Sequence, residues 1–336
     1  MTTIKDIAAA CGVSTATVSK ALNQASDVSA DTAERIRHTA RELGYHPNAA
    51  ARALKTNRTY NIGVLFEDET HSGLTHEYFS SVLNAVKNAV ESRGYDVSFI
   101  SNNIGSAPMT YLEHCKYRNY DGVVIANVGF MEPAVEELVK SSIPVVTIDY
   151  VFDNRSAVLS DNAQDMRKLV EYVYSMGHRK IAFIHGEETA VTRSRIASFH
   201  RTCRDLGIDI PDGFIRPGRY HDPKQSGILT RALLEQEERP TCILYPDDVS
   251  LLGGMTELER HGLRVPDDIS IAGYDGIQLS RVFRPELTTL HQDSEGLGTQ
   301  AANLLIEAIE EPKTYIPQMV MVSGKLQSGG TVRRIE

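Results

Sequence analysis

Beyond Tyr60 the chain alternates short runs of branched apolar residues with amphipathic stretches, and this alternation limits it to one class of fold. Residues 62–66, 97–100, 122–126 and 144–148 read as buried strands. Between them fall helical patterns at 78–93, 109–118 and 133–142; the first carries Phe79, Val82, Val86, Ala89 and Val90 on one face. The cycle restarts with helices predicted over 165–176, 195–206, 223–235 and 249–261. Strands are predicted over 180–185, 241–245 and 269–274, and the tail adds a helix at 296–310 and a strand at 318–325. Strand–helix alternation of this kind gives parallel sheets covered on both faces. Two runs of it, at about 60–150 and 155–275, predict two similar lobes.

The first sixty residues follow another pattern. Thr3, Ser14 and Ser29 are N-cap residues for helices over 4–11, from Thr15 to Asn23, and over a third segment with Ala33, Ile36, Ala40 and Leu43 on one face. Ala8, Gly12 and Val18 lie four and then six residues apart. That spacing suits a helix-turn-helix: a small residue lets the helices approach, glycine takes the turn, and a branched residue locks the second helix. The whole chain has a net charge of −9. Residues 1–60, however, hold eight Lys/Arg and five Asp/Glu, which is +3 and leaves −12 for the remainder. Phosphate binding answers to the local field, so a basic head on an acidic body suits a DNA reader.

The segment Gly12-Val-Ser-Thr-Ala-Thr-Val-Ser-Lys-Ala-Leu-Asn23 resembles the recognition segment of the lactose-repressor (LacI/GalR) family. The likeness runs on through Val28-Ser29, Gly44-Tyr45, Pro47-Asn48, Ala51-Arg-Ala-Leu54 and Ile62-Gly63-Val64. In the body it continues at Ser175-Met-Gly-His178, Pro266-Asp-Asp-Ile-Ser-Ile-Ala-Gly-Tyr-Asp275 and Leu287-Thr-Thr289 with Gln292. The resemblance implies an all-α helix-turn-helix head at 1–46, a hinge helix and linker at 47–59, and a two-lobed α/β body of the periplasmic-binding-protein type I at 60–336. One lobe is expected over about 60–154 and 290–318, the other over about 155–289 and 319–336.

The family reading assigns roles to residues. Thr15, Ala16 and Lys20 are expected to read bases in the major groove, although relatives commonly carry arginine where this chain has Lys20. Ser14, Thr17 and Asn23 are expected on the DNA backbone. Arg52 and Leu54 belong to the hinge, with Leu54 as a minor-groove wedge. The body is expected to take a small neutral sugar between its lobes, held by Asp149 at the end of the fourth strand, by Arg195 opening a helix, and by Asp247 and Asp275. Tyr220 and Phe79 would supply aromatic faces. Asp247 stands where asparagine is usual, and the loop from Glu67 to His76 is longer than expected, which hints at an oligosaccharide.

Other classes fit poorly. No apolar run reaches the roughly 18 to 20 residues of a membrane span, and the start lacks signal-peptide features, so a cytoplasmic protein is expected. Cys11, Cys115, Cys203 and Cys242 are scattered and read as reduced thiols. His71 and His76 lack a third ligand, so no metal and no cofactor are expected. No GxGxxG, P-loop, GxSxG or HExxH occurs, and the chain is read as a regulator rather than an enzyme. Its expected partners are a pseudo-palindromic operator, the sugar and a second copy of itself.

Overall fold

The computed structural model describes residues 2–23, 27–46, 58–68 and 73–336, and the chain divides into two compact units, Met1–Thr59 and Tyr60–Glu336. In the first unit, α1 (Ile4–Cys11), α2 (Thr15–Leu22) and α3 (Ala30–Glu42) follow in sequence. The Asp6 carboxylate accepts from the Thr3 N–H and hydroxyl, each at 2.8 Å, at the start of α1. Gly12 ends α1 at φ 63°, the left-handed region that favours glycine. Two residues on, Ser14 Oγ accepts from the Thr17 N–H at 3.1 Å and opens α2. Ile7, Val18, Ala21 and Ile36 are fully buried where the three helices meet.

In the second unit the chain runs through β1 (Asn61–Phe66), α4 (Glu77–Ser92), β2 (Asp96–Phe99), a hairpin of β3 (Asn103–Ile104) and β4 (Ala107–Pro108), and α5 (Tyr111–Arg118). It continues with β5 (Gly122–Asn127), α6 (Pro133–Lys140), β6 (Val145–Ile148) and β7 (Ser156–Ser160). There follow α7 (Asn162–Ser175), β8 (Ile181–His185), α8 (Ala190–Asp205), β9 (Ile215–Pro217), α9 (Pro223–Leu234), β10 (Cys242–Leu244) and α10 (Asp248–Arg260). The last elements are β11 (Ser270–Asp275), β12 (Thr289–His291), α11 (Ser294–Glu310), β13 (Met319–Val322) and β14 (Lys325–Gln327).

Two six-stranded sheets result, ordered β13-β7-β6-β5-β1-β2 and β14-β12-β11-β10-β8-β9. Every pairing in them is parallel except β14 with β12. Each sheet is buried on both faces. In the first lobe Val64, Val124 and Val146 pack under α4 and α11, while Leu65, Val123 and Ile125 pack under α5 and α6. Phe183 and Leu244 in the second lobe pack with Phe199 of α8, and Ile184 and Ile243 with Leu233 of α9.

The chain crosses between lobes three times, but not where the sequence suggested. Ser156–Ser160, assigned above to the second lobe, pairs with β6 and β13 in the first. Its two terminal serines hid a short strand whose buried middle is Ala157 and Val158. Leu290 and His291, assigned above to the first lobe, likewise belong with β12 in the second sheet. The expected strand over 318–325 is two strands in different lobes, with Met319–Val322 in the first and Lys325–Gln327 in the second. Gly324 lies at that crossing, where a Cβ would come within 2.7 Å of the His291 carbonyl oxygen.

Candidate functional site

The C-terminal ends of β1, β5 and β6 in one lobe and of β8 and β11 in the other converge on a cavity of about 210 Å³. Ligands of open parallel sheets gather at such strand ends, because the loops there are free to carry polar groups.

Each lobe supplies an aspartate. Asp149 follows β6 at φ 56°, and Asp275 ends β11 at φ 98°. The Asp149 carboxylate accepts from Ser160 N–H at 2.6 Å, Ser160 Oγ at 3.0 Å and the Tyr78 hydroxyl at 3.3 Å. Asp275 Oδ1 accepts from Gln292 Nε2 at 2.7 Å. Burial pushes the Asp149 carboxyl above the usual range. Burial, reinforced by the negative charge of Asp247, pushes that of Asp275 up to about 7. Tyr78 is held well above its ordinary value by burial and by Asp149.

Arg195, 4% exposed, is the cation among them. Thr189 caps α8 by accepting from the Thr192 N–H at 3.1 Å, and the buried face of that helix carries Thr192, Arg195, Phe199 and Cys203. The guanidinium lies 3.5 Å from the Tyr274 ring centroid and 5.8 Å from that of Tyr220. Its Nε donates to Asn162 Oδ1 at 2.8 Å and one terminal nitrogen to the Pro246 carbonyl at 3.2 Å. Asn162 in turn donates to the Ser160 carbonyl at 3.2 Å, so a hydrogen-bonded chain runs from Asp149 over the first crossing to Arg195.

Rings make up much of the wall. Phe79, Tyr78, Phe130 and Tyr150 come from the first lobe and Tyr220 from the second. Gly186 leaves room for Tyr220; a Cβ there would lie 2.1 Å from the ring. His76, of the first lobe, and His221, of the second, stack with centroids 3.6 Å apart and planes at 20°. Burial, aided by His221, holds His76 down at about 4, so its ring is neutral near pH 7.

The other surface with a directed chemistry is on the head. Thr15, Ala16 and Lys20 are exposed on α2, with Val18 and Ala21 buried on its opposite side. Lys20 is ion-paired with Asp27.

Residues 3–48 match the model of bacterial regulatory proteins of the lacI family, and residues 170–332 match the periplasmic binding protein-like domain. The HTH-type transcriptional repressor PurR of Haemophilus influenzae (strain PittEE) is 34% identical over 323 residues, which span 95% of this chain and 94% of the relative. The chain belongs to the lacI family. PurR of Pasteurella multocida (strain Pm70) is 32% identical over 93% of both chains. The crystal structure of the lac repressor dimer bound to operator and the anti-inducer ONPF superposes with a TM-score of 0.82, at 27% identity over 99% of each chain.

Against the family-based expectations, Asp149, Arg195, Asp275, Tyr220 and Phe79 all line the cavity. Arg195 does not open its helix, however. The helix begins at Ala190, where the Thr189 cap starts it, and Arg195 stands in the second turn. Asp247 is outside the cavity lining. It is the N-cap of α10, accepting from Ser250 N–H at 2.7 Å and Ser250 Oγ at 2.9 Å, and from the His221 N–H at 2.9 Å. Both of its oxygens are occupied by the protein. The sequence reading missed that role, although Asp before a helix is a cap signal.

On the head, Ser14 caps α2, and the Asn23 amide donates to the Ser19 carbonyl at 2.7 Å. Thr17 joins Ser14 through their hydroxyls at 2.9 Å. Arg52, Leu54 and His71 lie outside the described residues. Tyr78, His221, Glu187 and Gln292 were not read as site residues. Only Gln292 carried a signal, as part of the motif after Leu287. No helix among the described residues is long and apolar enough to cross a membrane.

Proposed function

We propose that this lacI-family regulator is a repressor that binds a pseudo-palindromic operator as a homodimer and is switched by a small neutral sugar of monosaccharide size. The observation that carries this reading is the interlobe cavity: aromatic faces, two aspartates at equivalent strand ends, and one buried arginine. Ring faces cover the C–H side of a sugar while the aspartates and Arg195 meet its hydroxyls. At about 210 Å³ the cavity suits one ring better than a chain of them, which speaks against the oligosaccharide suggested by the long loop. Asp68, Asp149, Glu187 and Asp275 line it beside Arg195, and that balance repels phosphate and carboxylate groups.

Thr15, Ala16 and Lys20 read bases in this scheme, Ser14, Thr17 and Asn23 support the backbone, and Arg52 and Leu54 engage the minor groove at a central pyrimidine–purine step, CG by family resemblance. The sugar acts by preferring one arrangement of the lobes. A planar heterocycle of nucleobase size is the second reading, favoured by the number of rings around the cavity. The test is gel retardation of the gene's own promoter with neutral sugars, sugar phosphates, uronic acids and nucleobases as competitors. Release by a neutral monosaccharide alone is the expected result, and release by an anionic ligand overturns the assignment.

A further inference from the structure

The stacked imidazoles are chemically unfinished. His76 is 5% exposed, yet its Nδ1 has no hydrogen-bond partner among the described residues, and neither has His221 Nε2. Both rings line the cavity. One stands at the N-cap of α4 in the first lobe, the other in the loop after β9 in the second, and they meet face to face at 3.6 Å. Buried polar atoms are almost always satisfied, and an orphan beside a cavity marks the place of a missing partner. Gln292 Oε1, also without a partner, is a third such atom, and the bond from its Nε2 to Asp275 fixes it as an acceptor.

We propose that His76 and His221 are effector-contacting residues that form a clamp across the two lobes, with Nδ1 of one and Nε2 of the other hydrogen-bonding polar groups of the bound ligand. Resting on the cavity assignment above, this adds its specificity-determining pair and a reason for coupling. A ligand bonded to both rings is bound fully only while the lobes hold the rings together, so it favours that arrangement over any in which they part. Asp247 is a positioning residue here, since its carboxylate holds the His221 N–H at 2.9 Å. His221 itself sits at φ 53°, a conformation in which histidine and asparagine are tolerated better than bulky residues.

The test is calorimetric titration of the full-length protein with two sets of probes. One is D-ribose, D-xylose, D-glucose and D-galactose; the other is adenine, hypoxanthine and uracil. His76→Phe keeps a flat stacking ring and deletes the nitrogens; His221→Asn keeps the backbone conformation and a hydrogen-bonding group. His76→Phe is expected to weaken the binding probe at least tenfold, and His221→Asn less than His221→Phe. Wild-type affinity in both phenylalanine variants overturns the clamp while leaving the cavity assignment standing. Loss confined to a nucleobase probe, with no sugar bound by the native protein, upholds the clamp and overturns the sugar reading. Binding of no probe in either set overturns both.

Discussion

The two lobes share one strand order, yet they hold their equivalent aspartates differently. Asp149 lies just after β6 and Asp275 at the end of β11, equivalent places in the two strand orders, both with positive φ. Asp149 is enclosed by its own lobe, with three donors from Ser160 and Tyr78. Asp275 receives a single side-chain donor, from Gln292 at the second crossing. The same local device therefore serves two ends. In the first lobe it ties the cavity to the crossing at Ser160 and Asn162; in the second it leaves a carboxyl lining the cavity. Each lobe thus places its aspartate beside a strand that leads into the other lobe, where a ligand contact bears directly on their relative placement.

The largest effect should come from the group that joins the two halves. Arg195→Ala leaves Asn162 Oδ1 and the Pro246 carbonyl without their donor and strips the cation from Tyr274. Breaking one side of a buried polar set costs about 2–4 kcal/mol. Urea denaturation should register that loss, and effector binding should fall below detection. A variant with native stability would mean that the Asp149–Asn162–Arg195 chain does not link the lobes.

The aspartates themselves come next, and they should differ. Asp275→Asn should weaken effector binding about tenfold, roughly one charge-assisted hydrogen bond. Asp149→Asn should cost more in stability, about 1–2 kcal/mol, and less in affinity, because its partners are the protein's own. The pH dependence separates them further. With the Asp275 carboxyl at about 7, the folded protein holds a proton that the unfolded chain releases near pH 4. Stability contributed by this group therefore falls as pH rises from about 4 to 7 and is level above that. Asp275→Asn should flatten the fall between about pH 4 and 7, read as the melting temperature in a buffer series. An unchanged slope would place the raised carboxyl elsewhere.

How far the sequence carries depends on whether a signal is local. Ala8, Gly12 and Val18 identify the head because their spacing is itself the packing geometry, and Ile7, Val18, Ala21 and Ile36 close that core. Alternation gives both sheets, since a strand apolar on both faces has few other places to go. The short strands escaped: Ser156–Ser160 has a two-residue buried centre of Ala157 and Val158 between serines, and Ile215–Pro217 is three residues long. Five of the six cavity residues expected from family likeness line the cavity, and Asp247 is the exception. Its type fitted a ligand contact, while its use, capping α10 and holding the His221 N–H, depends on a loop brought 26 positions along the chain. His76 and His221 are 145 positions apart, as their numbers give, and nothing in the sequence pairs them.

The smallest effect expected is at the aromatic faces, and it asks whether the lobes contribute alike there. Phe79 packs within the first lobe against Phe66, centroids 5.1 Å apart, and has no polar atom to offer. Tyr220 has a hydroxyl, but it is bonded to Thr192 Oγ1 at 2.8 Å, leaving the ring as its contribution to the cavity. Tyr220→Phe should therefore lower effector affinity by no more than about twofold, with stability down by about 0.5–1 kcal/mol for the lost hydrogen bond. Tyr220→Leu and Phe79→Leu, which remove ring faces, should each weaken binding by roughly threefold to tenfold, in line with about 0.5–1.5 kcal/mol for an aromatic contact. Parallel titrations of the three variants decide the point. A loss on Tyr220→Phe as large as on Tyr220→Leu would show that the hydroxyl leaves Thr192 for the ligand, making the second lobe polar where the first is not.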